Sequence, residues 1–395
     1  MPRMPTALDV NLNTVRSDHT GALHRPVGWR DLFADHYEGK ITDAQLEAGL
    51  ASAITAVIRK QEDIGLPIVS DGELRRFAGF QQSFGGAVAG FDALPYVPSR
   101  EPTQERPAGP PRRVESVVEG SGTAIYNRLP VKHRLEFVSN PLASEYGFAS
   151  KIAARPVKVT LTGPDRISQR FQWEKSQHVY KDIDAFMSDV VEIEKRMIRE
   201  VVEMGCRYIQ LDEPGYTAYV DPPLLARMRA RGEDPDENLA RSIQADNALF
   251  TEFPEVTFGV HICRGGGGGR GGPGWHREGS YDAIAERLFN QLDCERFLLE
   301  YDSEAAGTFE ALRFMPKGKT AVLGLVSNHG EVETADYLKR RLDEASRYVA
   351  LDQAAICPRC GLSGVDEETQ WAKLRVLQEV ANDVWGPSPQ NGAPA

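Results

Sequence analysis

The chain has 395 residues, with 57 acidic and 46 basic side chains and a formal net charge of −11. Hydrophobic residues make up 41% and charged residues 26%, which is the balance of an ordinary globular protein. The acidic balance argues against binding to nucleic acid or to a membrane surface. No apolar run approaches the roughly 18 residues of a membrane helix, and the start lacks the apolar core of a signal peptide. We therefore expect a cytoplasmic protein.

Short apolar runs alternate with helical patterns along most of the sequence. In chain order the predicted strands are Leu8–Val15, Pro67–Ser70, Val157–Leu161, Tyr208–Leu211, Thr257–Cys263, Arg296–Tyr301, Thr320–Val326 and Gln353–Ile356. The predicted helices are Thr42–Ile64, Asp182–Met204, Tyr281–Leu292, Glu333–Tyr348 and Asp366–Val384. Strands buried on both faces with helices between them predict a (β/α)8 TIM barrel. An open doubly wound sheet is the alternative, but no GxGxxG motif follows the first strand.

Two segments depart from this repeat. An insertion of about residues 78–155 follows the second strand, and we expect it to form a lid, a substrate wall or a dimer-forming loop. The glycine-rich segment Arg264–Gly274, with its glycine loop at 265–272, follows a strand directly and indicates an active-site loop rather than an RNA-binding tail. We expect one barrel domain over residues 1–385 and a flexible tail over 386–395.

The cysteines are few for this length. An odd, sparse set argues against a disulfide framework, so each cysteine is either a buried apolar residue or a metal ligand. The five are Cys206, Cys263, Cys294, Cys357 and Cys360.

Potential metal ligands occur at the ends of three predicted strands. His261 and Cys263 alternate on one face of a strand, Glu300 ends the next strand, and Cys360 follows the last one. Carboxyl ends of barrel strands meet at one face, and imidazole with thiolates is a good zinc donor set. Two thiolates, an imidazole and a displaceable carboxylate suit a catalytic zinc. A structural zinc held by His261, Cys263, Cys357 and Cys360 remains the alternative.

Six motifs occur in an order that resembles a known family. They are Ser70-Asp71-Gly72-Glu73, Gln210-Leu211-Asp212-Glu213-Pro214, His261-x-Cys263, Glu300-Tyr301-Asp302, Gly324-Leu325-Val326-Ser327 and Cys360-Gly361. Together they resemble the catalytic half of cobalamin-independent methionine synthase, and more closely its stand-alone, single-barrel relatives. The resemblance runs from about Arg16 to Trp371.

The resemblance implies roles for individual residues. It implies that His261, Cys263, Glu300 and Cys360 bind Zn²⁺, with Cys357 as a bystander. Glu73 and Asp212 match carboxylates that hold the amino group of homocysteine, and helix capping is the alternative role for Asp212 and Glu213. His329 matches the proton donor to the leaving folate nitrogen when one residue is gapped.

The implied activity is a zinc-dependent S-methyltransferase of methionine biosynthesis. It would transfer a methyl group to a zinc-bound, homocysteine-like thiol, with 5-methyltetrahydrofolate as a donor. The sequence does not determine the oligomeric state, and a homo-oligomer is one of the alternatives. Gly21-Ala22 stands where the family has Gly-Ser, which removes a hydroxyl near the amino-acid substrate. Arg75, Arg76, Arg264 and Arg270 are candidates for an anionic donor.

Three rival readings stay open. The first is a zinc-dependent thiol alkyltransferase or demethylase that acts on an epoxide or a small methylated compound. The second is a zinc-free, uroporphyrinogen-decarboxylase-like enzyme of the same barrel superfamily. The third is a non-enzymatic protein with structural zinc.

Overall fold

A computed structural model describes residues 12–92, 98, 100, 128–265 and 277–387 of the chain. Its centre is a parallel sheet of six strands, each hydrogen-bonded to the next strand along the chain. The side chains of these strands are buried almost throughout, as the uniformly apolar runs predict. The strands are Lys158–Thr162 (β3), Tyr208–Asp212 (β4), Thr257–Ile262 (β5), Arg296–Glu300 (β6), Thr320–Val326 (β7) and Ala354–Pro358 (β8).

Helices precede or follow these strands and pack against them. Thr42 caps α2 in a full capping box, and Asp182 and Asp366 cap α6 and α11, so the start signals read from the sequence are confirmed. The helices are Trp29–Tyr37 (α1), Asp43–Ile64 (α2), Gln82–Gly85 (α3), Pro141–Ile152 (α4), Pro164–Ser168 (α5), Ile183–Glu203 (α6), Pro222–Ala230 (α7), Pro235–Phe250 (α8), Asp282–Gln291 (α9), Ala335–Ala345 (α10) and Glu367–Trp385 (α11).

Two segments extend the sheet by single parallel bridges. Ser17 pairs with Ile356 of β8, and Val69 pairs with Val157 next to β3. Over the ranges that the structure describes, no strand pairing joins these two edge segments to each other. The structure thus confirms an α/β fold with a parallel sheet, and the predicted closure into a barrel stays a proposal.

The first predicted strand, Leu8–Val15, is wrong in its described part. Residues Leu12–Thr14 form a 3₁₀ turn, and pairing with β8 begins only at Arg16 and Asp18. The carbonyl groups of Leu12 and Val15 accept hydrogen bonds from Arg296 instead of from a strand, at 2.9 and 3.1 Å. The apolar alternation reflects packing of Leu12 and Val15 onto Ile68 and Tyr208. Residues 8–11 lie outside the described part of the chain.

The predicted insertion is described only in part. Besides α3 and α4 it contains a two-stranded antiparallel sheet of Val88–Phe91 (β1) and Val131–Phe137 (β2). Residues 93–97, 99 and 101–127 of the insertion, and 266–276 of the glycine-rich segment, lie outside the described residues. So do residues 388–395 of the predicted tail.

Two expectations from composition can be compared with the structure. All five cysteines are free thiols in the structure. Among the helices of the described ranges, none combines the length and apolar character needed to span a bilayer.

Candidate metal centre and its surroundings

Three potential metal ligands meet at the carboxyl edge of the parallel sheet. His261 lies near the end of β5, Cys263 follows that strand, and Cys360 follows β8. The ligand atoms of these three residues all lie within 4.8 Å of one another. His261 and Cys263 are buried, and Cys360 is half-buried. Tetrahedral zinc with bonds of about 2.3 Å to sulfur places ligand atoms about 3.8 Å apart, so the donor set fits zinc after a small contraction.

Asp212 fixes the orientation of the His261 ring. The two residues are neighbours in the parallel register of β4 and β5. His261 Nδ1 lies 2.9 Å from Asp212 Oδ1, and the same oxygen accepts a hydrogen bond from Gln210 at 2.7 Å. Nε2 lies 3.1 Å from the carbonyl oxygen of Arg359, on the loop that carries Cys360. Because Nδ1 contacts Asp212, Nε2 is the ring nitrogen that remains for a metal, and Asp212 would be the orienting carboxylate.

The two thiols and the imidazole ring shift one another's pKa values. A hydrogen bond donated by Cys360 holds the pKa of Cys263 well below its usual range, although burial opposes this, and it raises the pKa of Cys360. Burial disfavours the charged imidazole, but the Cys263 thiolate and Asp212 outweigh it and raise the pKa of His261 to about 9. A metal ligand must be deprotonated, so a divalent metal bound here would replace the protons of the ring nitrogen and of the thiols.

Glu300 lies beside this triplet but is not part of it. Its Oε2 accepts a hydrogen bond from the backbone N–H of Arg264 at 2.9 Å, and its Oε1 lies 3.4 Å from Arg359 Nη1. Burial raises the pKa of Glu300 to about 7, although Arg359 opposes the rise. Its charge also raises the pKa of Cys360. The structure thus places Glu300 next to the thiols, without bringing its carboxylate into the cluster of ligand atoms.

Glu73 and Asp212 each present a buried carboxylate oxygen toward the same region. Glu73 has a positive φ of 55°, which is uncommon outside glycine. Its Oε1 accepts a hydrogen bond from Thr160 at 3.0 Å. In the described part of the chain, Glu73 Oε2 and Asp212 Oδ2 make no hydrogen bond. Burial raises the pKa of Glu73, and the negative charge of Asp212 raises it further, so the pair favours a cation.

A buried ion pair between Arg76 and Glu145 supports Glu73 through Thr160. The sequence analysis did not predict this ion pair. Arg76 donates two hydrogen bonds to Glu145 of α4, at 2.7 and 2.6 Å. Arg76 also donates to Thr160 Oγ1 at 2.8 Å, and Thr160 in turn holds Glu73. Arg76 is thus a support for the site rather than a ligand for an anionic donor. Glu145 lies 69 residues further along the chain, so spacing gave no signal for the pair.

Glu213 takes the capping role that was considered for both acidic residues. Its two carboxylate oxygens accept the backbone N–H groups of Asp165 and Arg166 at the start of α5, each at 2.9 Å. Asp212 instead faces His261. The alternative of helix capping therefore holds for Glu213 and not for Asp212.

The remaining predicted residues are not among the clustered ligands. Cys357 is buried among Leu298, Val322 and Ala355 and is not one of the clustered ligands. His329 is exposed on the segment after β7, with Nδ1 3.2 Å from Ser327 Oγ. Arg75 pairs with Glu47 at 2.8 Å and Arg264 covers the ring of Tyr281, whereas Arg270 lies outside the described residues.

Ala22, which replaces a serine of the family pattern, lies against the Cys360 loop. A Cβ atom on Gly361 would come within 2.6 Å of the backbone nitrogen of Ala22. Because Gly361 has no side chain, the main chain at Ala22 can lie close to the main chain next to Cys360. The site is therefore built from both ends of the chain.

The parallel sheet with its helices makes this an α/β protein. The imidazole and two thiols at the carboxyl edge of the sheet form a candidate metal centre with thiolate ligands. No protein-family model matches the chain. Uncharacterized protein YxjG of Bacillus subtilis (strain 168) is 34% identical over 381 residues, covering 94% of each chain. Methionine synthase of Pyrococcus abyssi (strain GE5 / Orsay) is 25% identical over 340 residues, covering 85% of this chain and 82% of that one. The chain belongs to the cobalamin-independent methionine synthase family.

A solved structure shows the same fold. The B12-independent methionine synthase from Shewanella sp. W3-18-1, solved in complex with selenomethionine, matches with a TM-score of 0.67 at 20% identity. The match covers 94% of this chain and 97% of that chain. The similarity to that structure thus extends over the whole α/β unit.

Proposed function

We propose that the chain is a zinc-dependent methyltransferase that transfers a methyl group to a small thiol. The proposal rests on one observation, the grouping of His261, Cys263 and Cys360 with all ligand atoms within 4.8 Å of one another. Nitrogen and thiolate sulfur are donors that suit zinc, and three protein ligands leave a position for a substrate. We propose Glu300, on the adjacent strand, as the fourth and displaceable ligand. A bound zinc ion supplies the positive charge that favours the thiolate form of a substrate thiol at neutral pH.

The carboxylates of Glu73 and Asp212 are proposed to bind the amino group of a homocysteine-like acceptor. Each offers a buried oxygen that makes no hydrogen bond within the described ranges, and an ammonium group donates up to three. Two carboxylates around one ammonium fix the direction of the acceptor's side chain, and so the position of its sulfur. The selenomethionine complex of the Shewanella protein supports an amino acid of this size as a ligand.

Methyl transfer then requires a donor and a proton for its leaving group. A sulfur lone pair forms the new S–C bond while the bond from the methyl carbon to the donor breaks, and the leaving group keeps that electron pair. We propose 5-methyltetrahydrofolate as a donor and His329 as the source of the proton. Because His329 is exposed, its ring can regain a proton from water.

We also propose that the edge segments close the sheet into a (β/α)8 barrel, within one catalytic domain over residues 1–385. Eight consecutive parallel segments support this arrangement, since Ser17 and Val69 continue the six-stranded sheet at its two edges. A closed barrel leaves no exposed strand edge, which favours it over an open sheet of the same order.

A second candidate function keeps the zinc chemistry but changes the substrates. Ala22 has no hydroxyl where the family pattern has serine, and it lies against Gly361 next to Cys360. This favours an acceptor or donor other than the homocysteine and folate pair. A thiol alkyltransferase or demethylase that acts on an epoxide or a small methylated compound fits this change.

Metal content tests the proposal directly. We expect purified protein to contain about one zinc per chain, as a single catalytic site requires. We expect Cys263→Ser and Cys360→Ser to lose most of the zinc, and Cys357→Ser, the matched control, to retain it. Absence of zinc from the purified protein would overturn the proposal, and loss of zinc only in Cys357→Ser would reassign the ligand.

A spectrum at the zinc absorption edge separates a catalytic site from a structural one. Addition of homocysteine should add a sulfur neighbour to the metal and remove an oxygen neighbour. A spectrum that no small thiol changes would favour structural zinc. Assays with 5-methyltetrahydrofolate, small methylated compounds and epoxides then separate the two candidate functions.

A further inference from the structure

Arg359 forms ion pairs with two buried carboxylates at the carboxyl edge of the sheet. Its Nη1 lies 3.4 Å from Glu300 Oε1 and 3.1 Å from Asp302 Oδ2. These three side chains are at most 4% exposed, so water screens their charges weakly. Glu300 Oε2 is held separately by the backbone N–H of Arg264, at 2.9 Å. The structure thus gives Glu300 a charged binding position outside the cluster of ligand atoms, on the residue that precedes Cys360.

The main chain of Arg359 is fixed by contacts that do not involve its side chain. Its N–H donates a hydrogen bond to the carbonyl of Val326 at 2.8 Å, and its carbonyl oxygen lies 3.1 Å from His261 Nε2. Gly324 pairs with Glu300 in the sheet, and a Cβ atom on Gly324 would come within 2.8 Å of Arg359 Cα. Because Gly324 has no side chain, the main chain of Arg359 can lie against β7 next to Glu300.

Asp302 shares the charge of Arg359 with Glu300. Arg359 Nη1 donates hydrogen bonds to both carboxylate oxygens of Asp302, at 3.2 and 3.1 Å, whereas its distance to Glu300 Oε1 is 3.4 Å. Asp302 remains paired with Arg359 when Glu300 moves, so the guanidinium group does not become an uncompensated buried charge. Glu300 can therefore exchange between two positions without leaving Arg359 unpaired.

We propose that Arg359 is a positioning residue that holds the Glu300 carboxylate while the substrate thiol occupies its place at the metal. The inference rests on the proposed function, in which Glu300 is the displaceable fourth ligand. An interaction that stabilises Glu300 away from the metal weakens metal binding by Glu300 and favours the thiol that competes with it. Arg359 thus sets the balance between carboxylate and thiol at the metal centre, and Asp302 moderates the strength of its hold.

Thiol binding to the zinc-loaded protein tests the role of Arg359. Homocysteine would be titrated into zinc-loaded wild type and Arg359→Met at constant pH, and the zinc absorption-edge spectrum would record the sulfur and oxygen neighbours of the metal. We expect half-saturation in Arg359→Met to need about tenfold more thiol, because the displaced carboxylate loses its charged partner. The oxygen neighbour should persist to correspondingly higher thiol concentrations.

Zinc affinity without thiol, measured by competition with a chelator, separates this role from a structural one. It should not fall in Arg359→Met, because Glu300 is then freer to bind the metal. A residue that merely keeps the site folded would lower the affinities for zinc and for thiol together. That result would overturn the proposal.

Asp302→Asn should act in the opposite direction. Without the charge of Asp302, Arg359 holds the Glu300 carboxylate more firmly away from the metal. Half-saturation by homocysteine should then need less thiol than in wild type. Damage to the fold cannot produce this improvement, so Asp302→Asn alone decides the question if Arg359→Met does not fold. Weaker thiol binding in Asp302→Asn would contradict the proposal.

A double variant shows whether Arg359 acts through Glu300. In a Glu300→Ala background, the further change Arg359→Met should alter half-saturation by less than about twofold, since the carboxylate that Arg359 holds is absent. An undiminished effect would mean that the guanidinium charge acts directly on the thiol, and the positioning role would be wrong.

Arg313→Met is the matched control. Arg313 also lies between two carboxylates, Asp282 at 2.7 Å and Glu310 at 3.5 Å, but its side chain is 40% exposed. Thiol binding to this variant should change by less than about twofold. A change as large as in Arg359→Met would remove the assignment to Arg359.

The outcomes also separate this inference from the proposed function. Thiol binding that depends on Arg359, in a protein without methyl transfer, would sink the proposed methyl transfer alone. Methyl transfer with the same thiol affinity in wild type and Arg359→Met would sink this inference alone.

Discussion

At the scale of single residues, Glu73 combines an unusual backbone with an unsatisfied carboxylate oxygen. A non-glycine residue with φ of 55° costs free energy, and it persists where surrounding contacts hold it. Here Thr160 and Arg76 hold one carboxylate oxygen, at 3.0 and 3.4 Å, and leave the other toward the site. Such a residue is arranged for binding rather than for stability.

We predict that Glu73→Gln weakens the binding of the thiol acceptor and leaves the metal in place. The amide keeps the shape but loses the negative charge, so KM for the acceptor should rise about 10- to 100-fold, as for loss of a hydrogen bond to a charged group. Steady-state kinetics with zinc analysis measures both. Glu47→Gln is the control, since Glu47 is an exposed carboxylate that pairs with Arg75. An unchanged KM would remove Glu73 from the acceptor site.

Part of the site followed from residue chemistry and part from resemblance. The strand alternation of His261 and Cys263 predicts that both face the same way, and the structure brings them together with Cys360. The roles of Glu73 and Asp212 came only from the family motifs, because nothing in their spacing links them. The ion pair of Arg76 and Glu145 was missed, since an arginine in the sequence does not reveal which carboxylate will pair with it.

At the scale of elements, the ion pair of Arg76 and Glu145 connects the segment after Val69 to α4. The pair is buried and reaches Glu73 through Thr160. The helix Pro141–Ile152 thus contributes to the support of the site.

We predict that Glu145→Gln lowers both stability and activity. Loss of one partner leaves Arg76 charged and buried, which costs about 3–5 kcal/mol. Urea unfolding measures the stability loss, and the KM of the thiol acceptor measures the loosening of Glu73.

A double variant separates these two effects. Arg76→Met with Glu145→Leu removes both charges, so much of the stability should return, while Glu73 stays without its support and the KM stays high. Full recovery of activity in this variant would mean that the pair serves stability alone.

Strands and helices could be predicted where buried positions give a regular run of apolar residues or where a capping residue marks the start of a helix. The strand Thr320–Val326 matches its prediction at both ends, and α2 begins after the predicted cap at Thr42. The sheet of β1 and β2 was not predicted, because Val131–Phe137 carries charged residues on its exposed side and reads as a loop. Ser17 and Val69 each pair with the sheet through a single parallel bridge. Such short strand segments give too few residues in the sequence to predict whether the barrel closes.

At the scale of the whole molecule, a buried polar group links distant parts of the chain. Lys158 of β3 donates hydrogen bonds to Asp18 at 2.7 Å and to Gln210 at 2.9 Å. Asp18 also accepts from Tyr208 at 2.5 Å and lies 3.5 Å from Arg296. These contacts join the first described segment to β3, β4 and β6. Gln210 continues the connection to Asp212 and so to His261.

We predict that Lys158→Met destabilises the protein by about 3–5 kcal/mol, because Asp18 would remain charged and buried without its main partner. Urea unfolding measures the loss. Lys151→Met on the surface of α4 is the control, and its effect should stay within about 0.5 kcal/mol. If both variants lost the same free energy of unfolding, the buried network would contribute no more to stability than a surface lysine does.

A backbone hydrogen bond joins the two described flanks of the glycine-rich segment. The N–H of Arg277 donates a hydrogen bond to the carbonyl of Arg264 at 3.0 Å, immediately after Cys263. Closing a loop costs only about 0.6 kcal/mol more for each doubling of its length. The stretch between these residues can therefore be shortened, extended or exchanged while the flanking residues keep their places. We therefore expect a change in the number of residues between Arg264 and Arg277 to leave the metal content of the protein unchanged.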